Sequence, residues 1–141
     1  MGRVINTAST GKQRSQLRRT IAELLRRLSQ KQEFDADTKN MVAMIVLCLM
    51  EIDGGIDDSV RAWEKRGYWM KADEFRRDWM WVNDLVDEMS GMIKAEAWDD
   101  MPQILMKLIP RFADINVAKL TRSSDLWENA YDKLLEKISE E

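Results

Sequence analysis

Apolar residues in this chain recur at intervals of three and four, without the strict alternation that marks a strand. Leu17, Ile21, Leu24, Leu25 and Leu28 share one stripe of a helix predicted to begin at Ser9 or Thr10, either of which can cap it, and to run to about Lys31. Lys12, Arg19 and Arg26 point away from that stripe, and Arg18 and Arg27 flank it. A second stripe, Val42, Ile45, Leu49, Ile52, Ile56, Val60 and Trp63, keeps its phase through Gly54 and Gly55. That continuity predicts one helix from Asp35 to about Arg66, capped by Asp35 or Asp37; the competing reading stops at Asp53 and restarts at Asp57. Leu47 and Met50 lie opposite the stripe, so this helix should be central.

Gly67 suits the position that ends a helix, and a third helix is predicted from Trp69 to Ala95. Its stripe is Ala72, Phe75, Trp79, Val82, Val86, Met89 and Ile93, with a side line of Met70, Trp81, Leu85 and Met92. A fourth helix should follow Asp99 and kink or end at Pro110. Residues 113–122 read either as a short helix or as an irregular crossing. A last helix should follow Ser124 or Asp125, turning Trp127, Ala130, Tyr131, Leu134 and Ile138 inward. The expected fold is therefore all-α: an antiparallel helical bundle of about five helices, built around a long central αα-hairpin spanning about 35–66 and 69–95.

At 141 residues the chain has the length of one domain, and no repeat or linker divides it. Residues 1–141 are expected to form a single helical-bundle domain, with 1–9 as a flexible basic arm. Two prolines and six glycines supply too few turns for a β-sandwich or barrel of this size. The polar, basic beginning lacks the apolar core of a signal peptide. The longest apolar run, Met41 to Met50, is far shorter than the roughly 18 residues of a membrane span. A cytoplasmic location and no membrane partner are the expectation.

Charge changes the picture. Residues 1–31 hold eight Lys/Arg against one acid, Glu23, whereas the remainder holds 14 against 24. Arg3, Lys12, Arg14, Arg18, Arg19 and Arg26, among Ser, Thr, Asn and Gln side chains, make a candidate surface for an anion such as nucleic acid. The alternative is self-neutralisation against the acidic remainder of the same chain or of a second copy, with Arg19–Glu23 and Glu23–Arg27 as intrahelical pairs.

Catalytic chemistry finds little support. There is no histidine, which removes His-dependent triads and imidazole metal sites. Gly11-Lys12 does not complete a phosphate loop, because Gln13 stands where Ser or Thr is needed. Cys48, inside an apolar run, reads as a buried hydrophobe. Glu51, Asp53, Asp57 and Asp58 on the second helix and Asp84, Asp87 and Glu88 on the third could support a magnesium-dependent hydrolase, the weakest hypothesis. The chain lacks any Glu-x-x-Glu pair. No cofactor or metal is expected.

The stretch from Trp63 to Trp81 interleaves aromatics with cations, a pattern that can stack bases but more often marks core or a protein interface. Trp69, Met70, Arg76, Arg77, Met80 and Trp81 lie off the main stripe and are the candidate partner-docking residues. The sequence thus reads as a non-enzymatic helical binding module of a larger assembly. It would dock a protein partner or second copy through Trp/Met surfaces and an anionic partner through the basic first segment. A homo-oligomeric scaffold without nucleic acid is the alternative.

Overall fold

The computed structural model describes residues 7–139. Its helices are α1 (Thr7–Gln30), α2 (Ala36–Lys65), α3 (Trp69–Asp78), α4 (Met80–Lys94), α5 (Met101–Leu108) and α6 (Ala130–Ser139), with short 3₁₀ turns at Trp98–Asp100, Ile109–Phe112 and Ser124–Leu126. No strand occurs among the described residues. The fold is an all-α bundle centred on α2, which packs against α1, α3, α4 and α6.

α2 is continuous through Gly54 and Gly55 for 30 residues. Asp35 begins it with a capping box: its carboxylate accepts the Thr38 N–H at 2.9 Å, and the Thr38 hydroxyl accepts the Asp35 N–H at 3.4 Å. Gly67, at φ +84°, ends it in the left-handed conformation that favours glycine. The Tyr68 N–H reaches back to the Trp63 carbonyl and the Gly67 N–H to that of Glu64, both at 2.9 Å. These two bonds form a Schellman closure and fix the start of α3. Ile45, Leu49 and Ile52 are fully buried along α2, each stabilising the fold by about 1.5–3 kcal/mol.

Three boundaries differ from the sequence reading. α1 is already helical at Thr7, so Ser9 and Thr10 lie inside the helix rather than capping it, and the expected arm over 1–9 loses its last three residues to α1. Residues 1–6, with Arg3, lie outside the described residues. The second arm of the hairpin breaks at Trp79, whose φ of −111° and ψ of 7° interrupt the helix. The reason lies in the rings. Trp79 stacks on Trp81 with centroids 5.9 Å apart, whereas residues two apart in an unbroken helix face nearly opposite ways.

The last helix starts at Ala130 rather than just after Ser124, because Trp127 is pulled inward first. Its indole N–H donates to the Asp37 carboxylate at 2.9 Å. Asn129 then takes a left-handed turn at φ 60°, and the Asn40 side chain accepts the Tyr131 N–H at 2.9 Å, capping α6 from α2. Pro110 sits in the 3₁₀ turn Ile109–Phe112 that succeeds α5, as its missing N–H requires. Of the two readings for 113–122, the irregular crossing is the one observed; it runs along α1.

Candidate functional site

An irregular crossing leaves its backbone carbonyls without helical donors, and buried or half-buried carbonyls need partners. Here the cationic side of α1 supplies them. Arg18 donates to the Arg111 carbonyl at 2.8 Å and to both Asp114 oxygens at 2.7 and 3.1 Å. Arg19 donates to the carbonyls of Asn116 at 3.0 Å and Lys119 at 2.6 Å, and Arg26 to that of Val117. Arg27, which the sequence placed beside the ridge, donates to the Arg122 carbonyl at 2.9 Å and lies over the Trp127 ring. The guanidinium groups therefore clamp a strap, residues 111–122, to α1.

Glu23 is the centre of the clamp. Its carboxylate is almost fully buried and accepts the backbone N–H groups of Thr121 at 2.6 Å and Arg122 at 2.9 Å and the Thr121 hydroxyl at 2.7 Å. Arg19 and Arg122 add charged donors at 2.9 and 3.3 Å. Burial alone would raise its pKa; the hydrogen bonds from Arg122, Thr121 and Arg19 outweigh that and hold it down at about 2. Arg122 in turn donates to the Gln16 carbonyl and side chain and to Thr20. Sequence reasoning saw Glu23 only as an intrahelical partner, although its isolation among eight cations was a signal for a buried anchor.

Arg14 serves differently. Its guanidinium lies 5.2 Å from the Phe75 centroid and 5.1 Å from that of Trp79, with one terminal nitrogen buried and unbonded. Burial, and then the charge of Arg18, lowers its pKa. These rings belong to a row that runs Trp63, Phe75, Trp79, Trp81 and Phe112, with successive centroids 5.9–6.3 Å apart. Lys71 covers Trp63, Arg111 covers Trp81 and Arg18 covers Phe112. Of the six predicted anion-binding residues, Arg14, Arg18, Arg19 and Arg26 are thus engaged within the chain, and Arg3 lies outside the described residues. Lys12 is exposed and makes no ion pair among the described residues.

The docking candidates separate. Trp81 is half-buried inside the aromatic row. Trp69 is 64% exposed and Met70 88%, beside Tyr68 at 56%, a residue the sequence reading did not select. Met80, at the start of α4, is also exposed, as are Arg76 and Arg77 between them. Arg76 approaches Glu64 at 3.9 Å and Arg77 approaches Asp73 at 3.4 Å. Arg61, Lys65 and Arg66 are exposed at the end of α2 and make no ion pair among the described residues. The α2–α3 corner therefore presents three consecutive large side chains, held by the Gly67 closure and surrounded by cations.

Burial pushes the Cys48 thiol up to about 12, with Glu51 adding to the shift, so it is not a nucleophile at neutral pH. Among the described residues no three His, Cys, Asp or Glu side chains converge as metal ligands, and no helix is long and apolar enough to cross a membrane. Asp53 accepts a hydrogen bond from Asn83 at 3.2 Å. Compared with protein families, curated proteins and solved structures, the chain matches none.

Proposed function

We propose that the chain is a non-enzymatic docking module that engages a protein partner at the α2–α3 corner. The observation that carries this reading is the run Tyr68, Trp69 and Met70, all exposed at one fixed turn. A buried Trp or Tyr anchor contributes strongly to interfaces, and a rigid turn loses little entropy when it binds. The surrounding Arg61, Lys65, Arg66, Arg76 and Arg77 favour a partner with acidic residues at its rim. Trp63 of α2 stacks on Phe75 of α3 with centroids 6.3 Å apart, which ties together the two helices that meet at the corner. This gives the anion preference expected from the sequence a second location, on α2 and α3 rather than on the clamped face of α1.

A photo-reactive amino acid at position 70, with the same group at exposed Lys133 as control, tests the reading in cells that express the chain. A discrete adduct from position 70 alone, lost when Tyr68 and Trp69 become serine, is the expected result. An adduct of twice the chain's mass would make the partner a second copy. No adduct, or the same pattern from both positions, would refute the corner as a docking surface.

A further inference from the structure

Away from the corner, three rings from three parts of the chain converge on one ammonium group. Phe34 comes from the α1–α2 connection, Trp98 from the turn before α5, and Tyr131 from α6. Phe34 and Trp98 have centroids 5.3 Å apart at 54°, and Trp98 and Tyr131 have centroids 5.8 Å apart at 50°. Tilted in this way, the rings form walls rather than a stack. Lys39, on the first turns of α2, places Nζ at 5.6, 5.5 and 5.7 Å from the Phe34, Trp98 and Tyr131 centroids. No carboxylate pairs with it among the described residues: the nearest acid in sequence, Asp37, accepts the Trp127 indole N–H at 2.9 Å and approaches Lys31 at 3.5 Å, and Asp35 is engaged by Lys31 at 2.8 Å. The cage is open on the Phe34 side, since that ring is half exposed.

The dimensions identify the occupant. Apolar atoms pack best at about 3.5–4.0 Å. A bare ammonium midway between rings at 5.5–5.7 Å leaves a gap at each wall. An N–C bond of about 1.5 Å would carry a methyl carbon to about 4 Å from each ring centre, so three walls accept three methyl groups. A methylated ammonium is also more weakly hydrated than a bare one, so less solvation is lost when aromatic faces surround it. We infer that Phe34, Trp98 and Tyr131 form a cage for a methylated ammonium, and that its occupant is Lys39 of the same chain after methylation of Nζ.

The methyl donor would be a sulfonium compound used by a separate transferase, reaching Lys39 when its side chain swings out through the open side. In each round the deprotonated amine attacks the methyl carbon and an N–C bond forms. The C–S bond breaks with its electron pair going to sulfur, which leaves as a thioether. Before every round, the first included, the ammonium gives up one proton to water; the neutral amine regains its +1 charge on forming the N–C bond, and the sulfonium loses its own.

The test begins with the Lys39 peptide of the chain isolated from its natural source. Mass increments of one to three methyl groups on Lys39, and none on Lys133, are expected; an unmodified Lys39 overturns the inference. Lys39→Cys can then be alkylated to give the trimethylated or the unmethylated lysine analogue. Buried Cys48, its thiol pushed up to about 12, stays unreacted at mildly alkaline pH. The trimethylated form should melt about 2–4 °C above the unmethylated one. Equal or reversed midpoints overturn the fit. As a check independent of alkylation, Lys39→Ala vacates the cage, and tetramethylammonium should stabilise that variant more than ammonium does. Equal effects of the two ions would also overturn it.

Discussion

Replacing Glu23 with glutamine removes the charge at the centre of the clamp while keeping its shape. The buried carboxylate faces two backbone N–H groups, one hydroxyl and two guanidinium groups, so five donors lose a charged acceptor at once. Breaking such a buried pair costs about 3–5 kcal/mol. The pH dependence gives a sharper measure. The folded pKa of Glu23 is depressed from an ordinary 4.5 to about 2, so its contribution is fully present above pH 4.5 and is lost as pH falls through 2. That shift corresponds to about 3 kcal/mol at neutral pH, of which about 2 kcal/mol should be gone by pH 3. Urea unfolding of wild type and Glu23→Gln, followed by tryptophan fluorescence, should give a stability gap about 2 kcal/mol smaller at pH 3 than at pH 7. Other carboxylates titrate in both proteins and cancel in the difference. An equal gap at the two pH values would refute the claim that Glu23 is an ionised anchor.

Other substitutions probe the remaining elements. Gly54→Ala should stabilise the protein by about 0.5–1 kcal/mol, because the added methyl meets nothing within 4 Å and the helix gains propensity; a lower urea midpoint would contradict a continuous α2. Leu49→Ala should lose about 3–5 kcal/mol from the fully buried centre of α2, measured by the same unfolding. Asn40→Ala should cost about 1 kcal/mol and accelerate hydrogen exchange at the Tyr131 amide, since it removes the side-chain acceptor at the start of α6; unchanged exchange would show that the cap does not matter.

Helix positions were legible because the apolar stripes of α2 and α4 repeat over many turns and each such stripe must face a core. Continuity through Gly54 and Gly55 followed from the unbroken phase, and the end of α2 from Gly67. The break at Trp79 was not legible. Phe75, Trp79 and Val82 keep helical spacing across it, and only the stacking of Trp79 on Trp81, a contact decided by tertiary packing, departs from a helix. The site divides in the same way. Exposure of Trp69 and Met70 follows from their place off the stripe, but Trp81, equally off it, is taken up by Phe112 from a distant part of the chain. Lys39 gave no sign of its cage, since its three rings are scattered between positions 34 and 131.

The charge asymmetry of the chain then acquires a physical reading. A strap that is irregular beyond Phe112 needs donors for its carbonyls, and guanidinium groups on a neighbouring helix provide several in a fixed fork. An external polyanion that recruited Arg18, Arg19 and Arg26 would first have to strip those bonds from residues 111–119, at roughly 1 kcal/mol apiece, and would leave the carbonyls facing its own negative charge. The corner cations Arg61, Lys65 and Arg66 carry no such obligation among the described residues. An acidic partner should therefore show a salt-dependent affinity that falls when these three are replaced and is little changed when Lys12 is, by isothermal titration. The opposite ranking would return the binding role to α1.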